Sequence, residues 1–139
     1  MSAEGAHVLV VAHRTAATQR LVDAVRRRAA KGPARFTLLV PRTYWDPDTE
    51  VAALTVELAV PLLEEAAGGH VESRIGSDDA FAAVREVVDE GDVDEVIIST
   101  LPERVSHWLR IDLPSRVERL GVPVTVVVAE GRRAHAQGA

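Results

Sequence analysis

Asp94-Glu95-Val96-Ile97-Ile98-Ser99-Thr100-Leu101-Pro102 opens a run that closes on Gly121-Val122-Pro123-Val124-Thr125-Val126-Val127-Val128-Ala129. Both ends are short, apolar and β-branched, so both read as strands buried among helices. Between them, residues 103–110 hold Arg, His, Trp and Ser, and a short helix begins near Asp112-Leu113-Pro114. Asp112 suits an N-cap and Pro114 is tolerated in a first turn. A strand, a polar exit, a helix and another strand make up one repeat unit of an α/β protein, with the ligand-facing exit in the middle.

The same alternation extends back to the start. Residues 7–12 form a first strand, and Thr15 is the expected N-cap of a helix reaching about Ala30, with Leu21, Val22, Val25 and Ala29 as its apolar stripe. Arg26, Arg27, Arg28 and Lys31 lie near its C-terminus, where positive charge suits the helix dipole; a solvated basic helix end is the reading. Residues 35–40 form the second strand. A polar loop with Tyr44 and Trp45 leads to a helix from about Thr49, which Pro61 should kink or split. Residues 70–75 alternate strictly, with Val71, Ser73 and Ile75 on one side and His70, Glu72 and Arg74 on the other, as at a half-wet sheet edge. Ser77 or Asp78 is expected to cap the next helix, whose stripe is Phe81, Val84, Val87 and Val88. The order β-α-β-α-β-α-β-α-β predicts an α/β fold with a parallel five-stranded sheet in the order 3-2-1-4-5 and helices on both faces. One domain over residues 1–131 is expected, with a disordered tail over 132–139.

Composition narrows the function. A net charge of −5 argues against non-specific nucleic-acid binding. The absence of cysteine excludes thiolate metal sites and Cys nucleophiles, and the five His show no metal-ligand spacing. No apolar run approaches the roughly 20 residues of a membrane span. With no signal-peptide pattern at the start, a cytoplasmic location is expected.

In an open α/β sheet, ligands bind beyond the C-terminal strand ends where the strand order reverses, here between strands one and four. His13, Arg14 and Thr15 leave strand one, Val40 leads the exit of strand two, and Ser99 and Thr100 leave strand four. Arg104, Ser106 and Arg110 follow. Arg forks match phosphate or carboxylate oxygens, so these residues are the candidate anion site. The alternative is a set of solvated loop charges balanced by Asp46, Asp48, Glu103 and Asp112. Trp108, with Val105 and Leu109, reads as packing that pins the loop to the sheet. The last strand, Val122 to Ala129, would be an unguarded sheet edge. A homodimer through it is expected, the alternative being burial within a monomer.

The layout resembles the universal stress protein family over essentially the whole chain. The features that carry the resemblance are the strand and polar turn of residues 7–15, residues 36–41 with their long following loop, and the Val-Pro-Val-Thr-Val-Val ending after a short helix. The resemblance implies a three-layer Rossmann-like fold of the adenine nucleotide alpha hydrolase-like kind. Members that bind ATP have an Asp after strand one, followed two residues later by Ser or Thr; here those positions are His13 and Thr15. They also carry, after strand four, two Gly separated by two residues and then, nine residues later, Gly with Ser or Thr. This chain has no glycine between Gly91 and Gly121, and Pro102 and Pro114 lack amide donors. The resemblance therefore implies a non-catalytic regulatory or stress-response domain that does not bind ATP in the usual way, with another nucleotide or anion as the candidate ligand and no cofactor otherwise. A nucleotide-dependent enzyme of adenylyl-transfer type and a pure protein-interaction module are the competing readings. The enzyme reading lacks a phosphate cradle and a legible nucleophile–base pair.

Overall fold

The computed structural model describes residues 5–13, 15–42, 50–101 and 107–129. The chain runs β1 (Ala6–Val11), α1 (Gln19–Ala30), β2 (Ala34–Pro41), α2 (Glu50–Ala67), β3 (Val71–Gly76), α3 (Ala80–Asp89), β4 (Glu95–Thr100), α4 (His107–Arg110), α5 (Leu113–Glu118) and β5 (Val124–Val128). All strand pairs are parallel and the order is β3-β2-β1-β4-β5, as the sequence predicts. Val8 lies opposite both Phe36 of β2 and Glu95 of β4, which fixes the register of the central three strands.

Alternation along β1 divides the core in two. Val8 and Val10 join Phe36, Leu38 and Val40 beneath α1 and α2. Leu9 and Val11 join Leu39, Val96 and Ile98 against α3 and α5. Residues 8–11 are at most 1% exposed, so each side chain contributes roughly 1.5–3 kcal/mol of burial. That double burial explains why β1 and β4 read as continuous apolar runs with no polar face.

Several local details differ from expectation. Pro61 does not split α2, which is helical from Glu50 to Ala67. Pro61 and Glu57, whose carbonyl loses its helical donor, are both exposed, so water can satisfy the freed carbonyl. Helix α1 is capped at Thr18, not Thr15. Asp79, not Ser77 or Asp78, caps α3: its carboxylate accepts the Ala82 amide at 3.0 Å. In β3 the expected apolar face holds only at Val71, which joins the α2 core; Ser73 and Ile75 are exposed, Ile75 by 41%.

Candidate functional site

The exits of β1 and β4 meet as the strand order requires. The Ala12 amide donates to the Leu39 carbonyl at 3.2 Å, extending the β1–β2 ladder by one step before the chain turns. The turn closes where the Ala16 amide reaches the His13 carbonyl (3.2 Å) and the Thr18 amide and hydroxyl both reach the Thr15 carbonyl (3.1 and 2.9 Å). Thr15 is thereby held below the helix start. Its hydroxyl turns from α1 to the Ser99 hydroxyl at 2.6 Å. This contact between residues 84 apart in sequence joins the two strands that flank the crevice. On the β4 side, the Ala129 amide donates to the Thr100 carbonyl at 2.8 Å and ties in the end of β5.

Thr15, Ser99 and Thr100 are 1–3% exposed and His13 is 8% exposed. Two hydroxyls that bond one another keep one proton between them for a further acceptor. Val40 is not brought to this site: its side chain lies in the α1–α2 core. Of the candidate residues, then, Thr15 and Ser99 are brought into contact; His13 and Thr100 are also buried, and Thr100, next along β4, turns to the opposite face of the sheet from Ser99. Arg14, Arg104, Ser106 and the side chain of Arg110 lie outside the described residues, as do the Tyr44–Trp45 loop and the tail over 132–139. Trp108 is partly buried and packs against the α3–α5 core, which agrees with its reading as a loop anchor.

Among the described residues after β4, the start of α5 offers few free amides. Helix α5 has only six residues, and Pro114 sits in its first turn without an amide proton. Asp112 does not cap it in the expected way. Its backbone is left-handed (φ 57°, ψ 43°) and its side chain makes no cap bond. An N-cap carboxylate needs an extended backbone to fold back onto the first amides. Asp112 instead ends the preceding turn, its amide donating to the Leu109 carbonyl at 3.1 Å. An Asp is among the few side chains that tolerate this conformation.

A second polar cluster, not visible in the sequence, lies at the opposite end of the sheet. His7 is 7% exposed; its Nδ1 lies 3.0 Å from the Asp92 carbonyl and its Nε2 2.8 Å from the Thr37 hydroxyl. A carbonyl only accepts, so Nδ1 carries the proton and Nε2 accepts from Thr37. Arg35 grips both Asp92 oxygens at 2.9–3.0 Å and holds that carboxyl below the usual range through this hydrogen bond. These pairings fasten β1, β2 and the β4 approach, and they complete every ring nitrogen of His7. Among the described residues, no group of three or more His, Asp or Glu is arranged to hold a metal ion, and no helix is long and apolar enough to cross a membrane.

No protein-family model and no curated protein sequence matches the chain. Solved structures do. A universal stress protein in complex with cAMP is 17% identical with a TM-score of 0.67, over 90% of this chain and 98% of that one. A universal stress protein from Archaeoglobus fulgidus in complex with dAMP is 15% identical with a TM-score of 0.64, over 89% and 98%. A universal stress protein family protein from Arabidopsis thaliana with AMP bound is 12% identical with a TM-score of 0.60, over 91% and 94%. The fold of this chain is the Rossmann-like α/β fold of the universal stress proteins.

Proposed function

We propose that this chain is a non-catalytic regulatory domain of stress-response type, whose β1–β4 crevice takes a nucleotide with a single phosphate, or another small anion, in preference to a triphosphate. The observation that supports the reading is the Thr15–Ser99 hydrogen bond, which joins two buried hydroxyls at the exits of β1 and β4, in a chain with no glycine between Gly91 and Gly121. The similar structures named above hold cAMP, dAMP and AMP, each with one phosphate. In this proposal Thr15 and Ser99 orient the ligand, while Arg104 and Arg110 neutralise its charge.

Melting curves with AMP, cAMP and ATP test it. A ligand at a hundred times its Kd adds about 2.7 kcal/mol to the folded state, which moves Tm by several degrees for a domain of this size. AMP or cAMP should produce that shift, ATP should not exceed it, and Arg104→Ala with Arg110→Ala should abolish it. A much larger shift with ATP than with AMP would refute the single-phosphate reading. ATP turnover that is lost on a crevice substitution would refute the non-catalytic one.

The same proposal includes a homodimer through β5. The strand lies at the sheet edge, with Val126 and Val128 39% and 37% exposed and no charge along it. The Pro123 carbonyl and Ala129 amide both bond to β4, so by parity Val124, Val126 and Val128 turn their peptide groups outward. A second β5 would satisfy them. If no ligand moves Tm but the dimer persists, a pure interaction module is the better description.

A further inference from the structure

Helix α1 lies over the sheet beside β5, and a groove of about 500 Å³ runs between them. Its α1 wall carries Arg20, Arg27, Arg28 and Lys31, and the opposing carboxylates are Asp23 and Glu95. Four cations thus face two carboxylates, in a protein whose formal net charge is −5. The carboxylates are already engaged. Glu95 is bound by Arg28, whose Nε and Nη2 both reach Oε2 at 2.8 Å, and Asp23 accepts from Gln19 and Arg26 at 2.9 and 3.3 Å. Arg27 and Lys31 take no part in these pairings.

These two residues are one helical turn apart on the same face, roughly 6 Å between their Cβ atoms, and Arg20 extends the row to about 16 Å along the axis. The floor is Ile97, Thr125 and Val127, apolar apart from one hydroxyl. Among the described residues, no aromatic side chain lines the groove to stack on a base. None of the crevice residues Thr15, Ser99 or Thr100 lines it either. The basic cluster of α1, which by sequence is only a solvated helix end, therefore forms one wall of a concavity.

We propose that this groove is a second anion site, distinct from the crevice, and that it binds linked phosphates: Arg27 and Lys31 hold successive phosphate groups along the α1 axis, with the Thr125 hydroxyl as a neutral donor from the floor. A single phosphate can draw Arg27 and Lys31 together, whereas linked phosphates let each cation hold its own group along the row. Guanidinium and ammonium groups meet phosphate oxygens by charge-assisted hydrogen bonds. The ligand's phosphoanhydride chain could come from a free oligophosphate or from the polyphosphate arm of a nucleotide, and the test separates them.

Calorimetric titration of the whole protein with sodium tripolyphosphate at low salt is the direct experiment. Binding is expected, weakening as salt rises because the cations are exposed. Arg27→Ala combined with Lys31→Ala should weaken it by about a hundredfold, near tenfold for each charged hydrogen bond. Both side chains are exposed, so the fold should persist, and Arg119→Ala, an exposed cation at the end of α5 outside the groove, should bind as the parent does. Absence of binding, or equal binding by the double variant and the parent, overturns the proposal. ADP titrated in parallel assigns the source. If the double variant weakens ADP and tripolyphosphate alike, the groove holds a nucleotide's phosphate arm. If it weakens tripolyphosphate alone, the groove serves free oligophosphate and ADP binds elsewhere. Loss of AMP binding on Arg104→Ala with Arg110→Ala bears on the crevice only, so the two sites fail independently.

Discussion

The two edges of the sheet are built on opposite plans. At β3 the strand carries Glu72 and Arg74, with His70 just before it, and each is engaged: Arg74 meets Glu90 at 2.9 Å, and His70 lies 3.2 Å from Glu64 and 3.7 Å from Glu72. At β5 the strand reads Val-Thr-Val-Val-Val and no side chain on it carries charge. Charged side chains on an edge discourage a foreign strand, because pairing would bury them. One edge is thus closed to addition by its own sequence, and the other is left open to it. The difference supports the second copy as the partner of β5 and argues against β3 as a docking edge.

The largest expected effect breaks this asymmetry directly. Val126→Lys should weaken β5 self-association by roughly a hundredfold or more, since an unpaired ammonium would enter an apolar strand interface. Sedimentation at micromolar concentration would report it, and a parent that is itself monomeric there removes the dimer proposal.

Next come substitutions that probe how firmly each edge is held. Gly76 ends β3 where a Cβ would stand 2.7 Å from the Ala83 Cβ and 3.2 Å from the Leu39 Cδ1. Gly76→Ala should therefore cost about 1–3 kcal/mol in denaturant unfolding, because strand and helix must separate. Val71→Ala, at a side chain 3% exposed, should cost about 2 kcal/mol, whereas Val128→Ala should cost less than about 1 kcal/mol in the monomer. Equal costs at the two edges would contradict the picture of a packed β3 start and an unfinished β5.

The smallest effect is a pH dependence confined to the β3 side. The Arg74 hydrogen bond holds the Glu90 carboxyl below the ordinary carboxylate range, and Arg35 does the same for Asp92. A depressed folded value stabilises the fold above the unfolded carboxylate pKa, and this contribution fades as pH falls through the folded value. Both carboxylates are on the surface, so the effect is small and screened by salt. Arg74→Ala should slightly flatten the acid limb of a stability–pH profile. An unchanged slope at low salt would show that the pair contributes nothing.

The sequence makes the framework legible for a physical reason. Strands buried on both faces must be apolar without a break, and helices must be apolar on one stripe, so β1, β4, α1 and α3 announce themselves by short-range periodicity. Glycine and proline mark the ends because few residues can replace them there. Local cap chemistry is less legible. Thr15 and Thr18 are equally good caps by type, but the helix begins after Thr18, whose hydroxyl bonds back to the Thr15 carbonyl and makes no cap bond. Asp112 carries an N-cap residue type, yet the short link from α4 forces it left-handed and withdraws its side chain from α5.

Composition and spacing thus determined, without any coordinates, that this is a parallel α/β sheet in the order 3-2-1-4-5 and that no glycine stands between Gly91 and Gly121. Only the tertiary structure decided that Thr15 would bond to Ser99, that His7 would bridge Thr37 and the Asp92 backbone, and that the basic turn of α1 would face a groove over β5. Each of these joins residues tens of positions apart, and their meeting depends on strand register and helix placement, which no local pattern of side chains encodes.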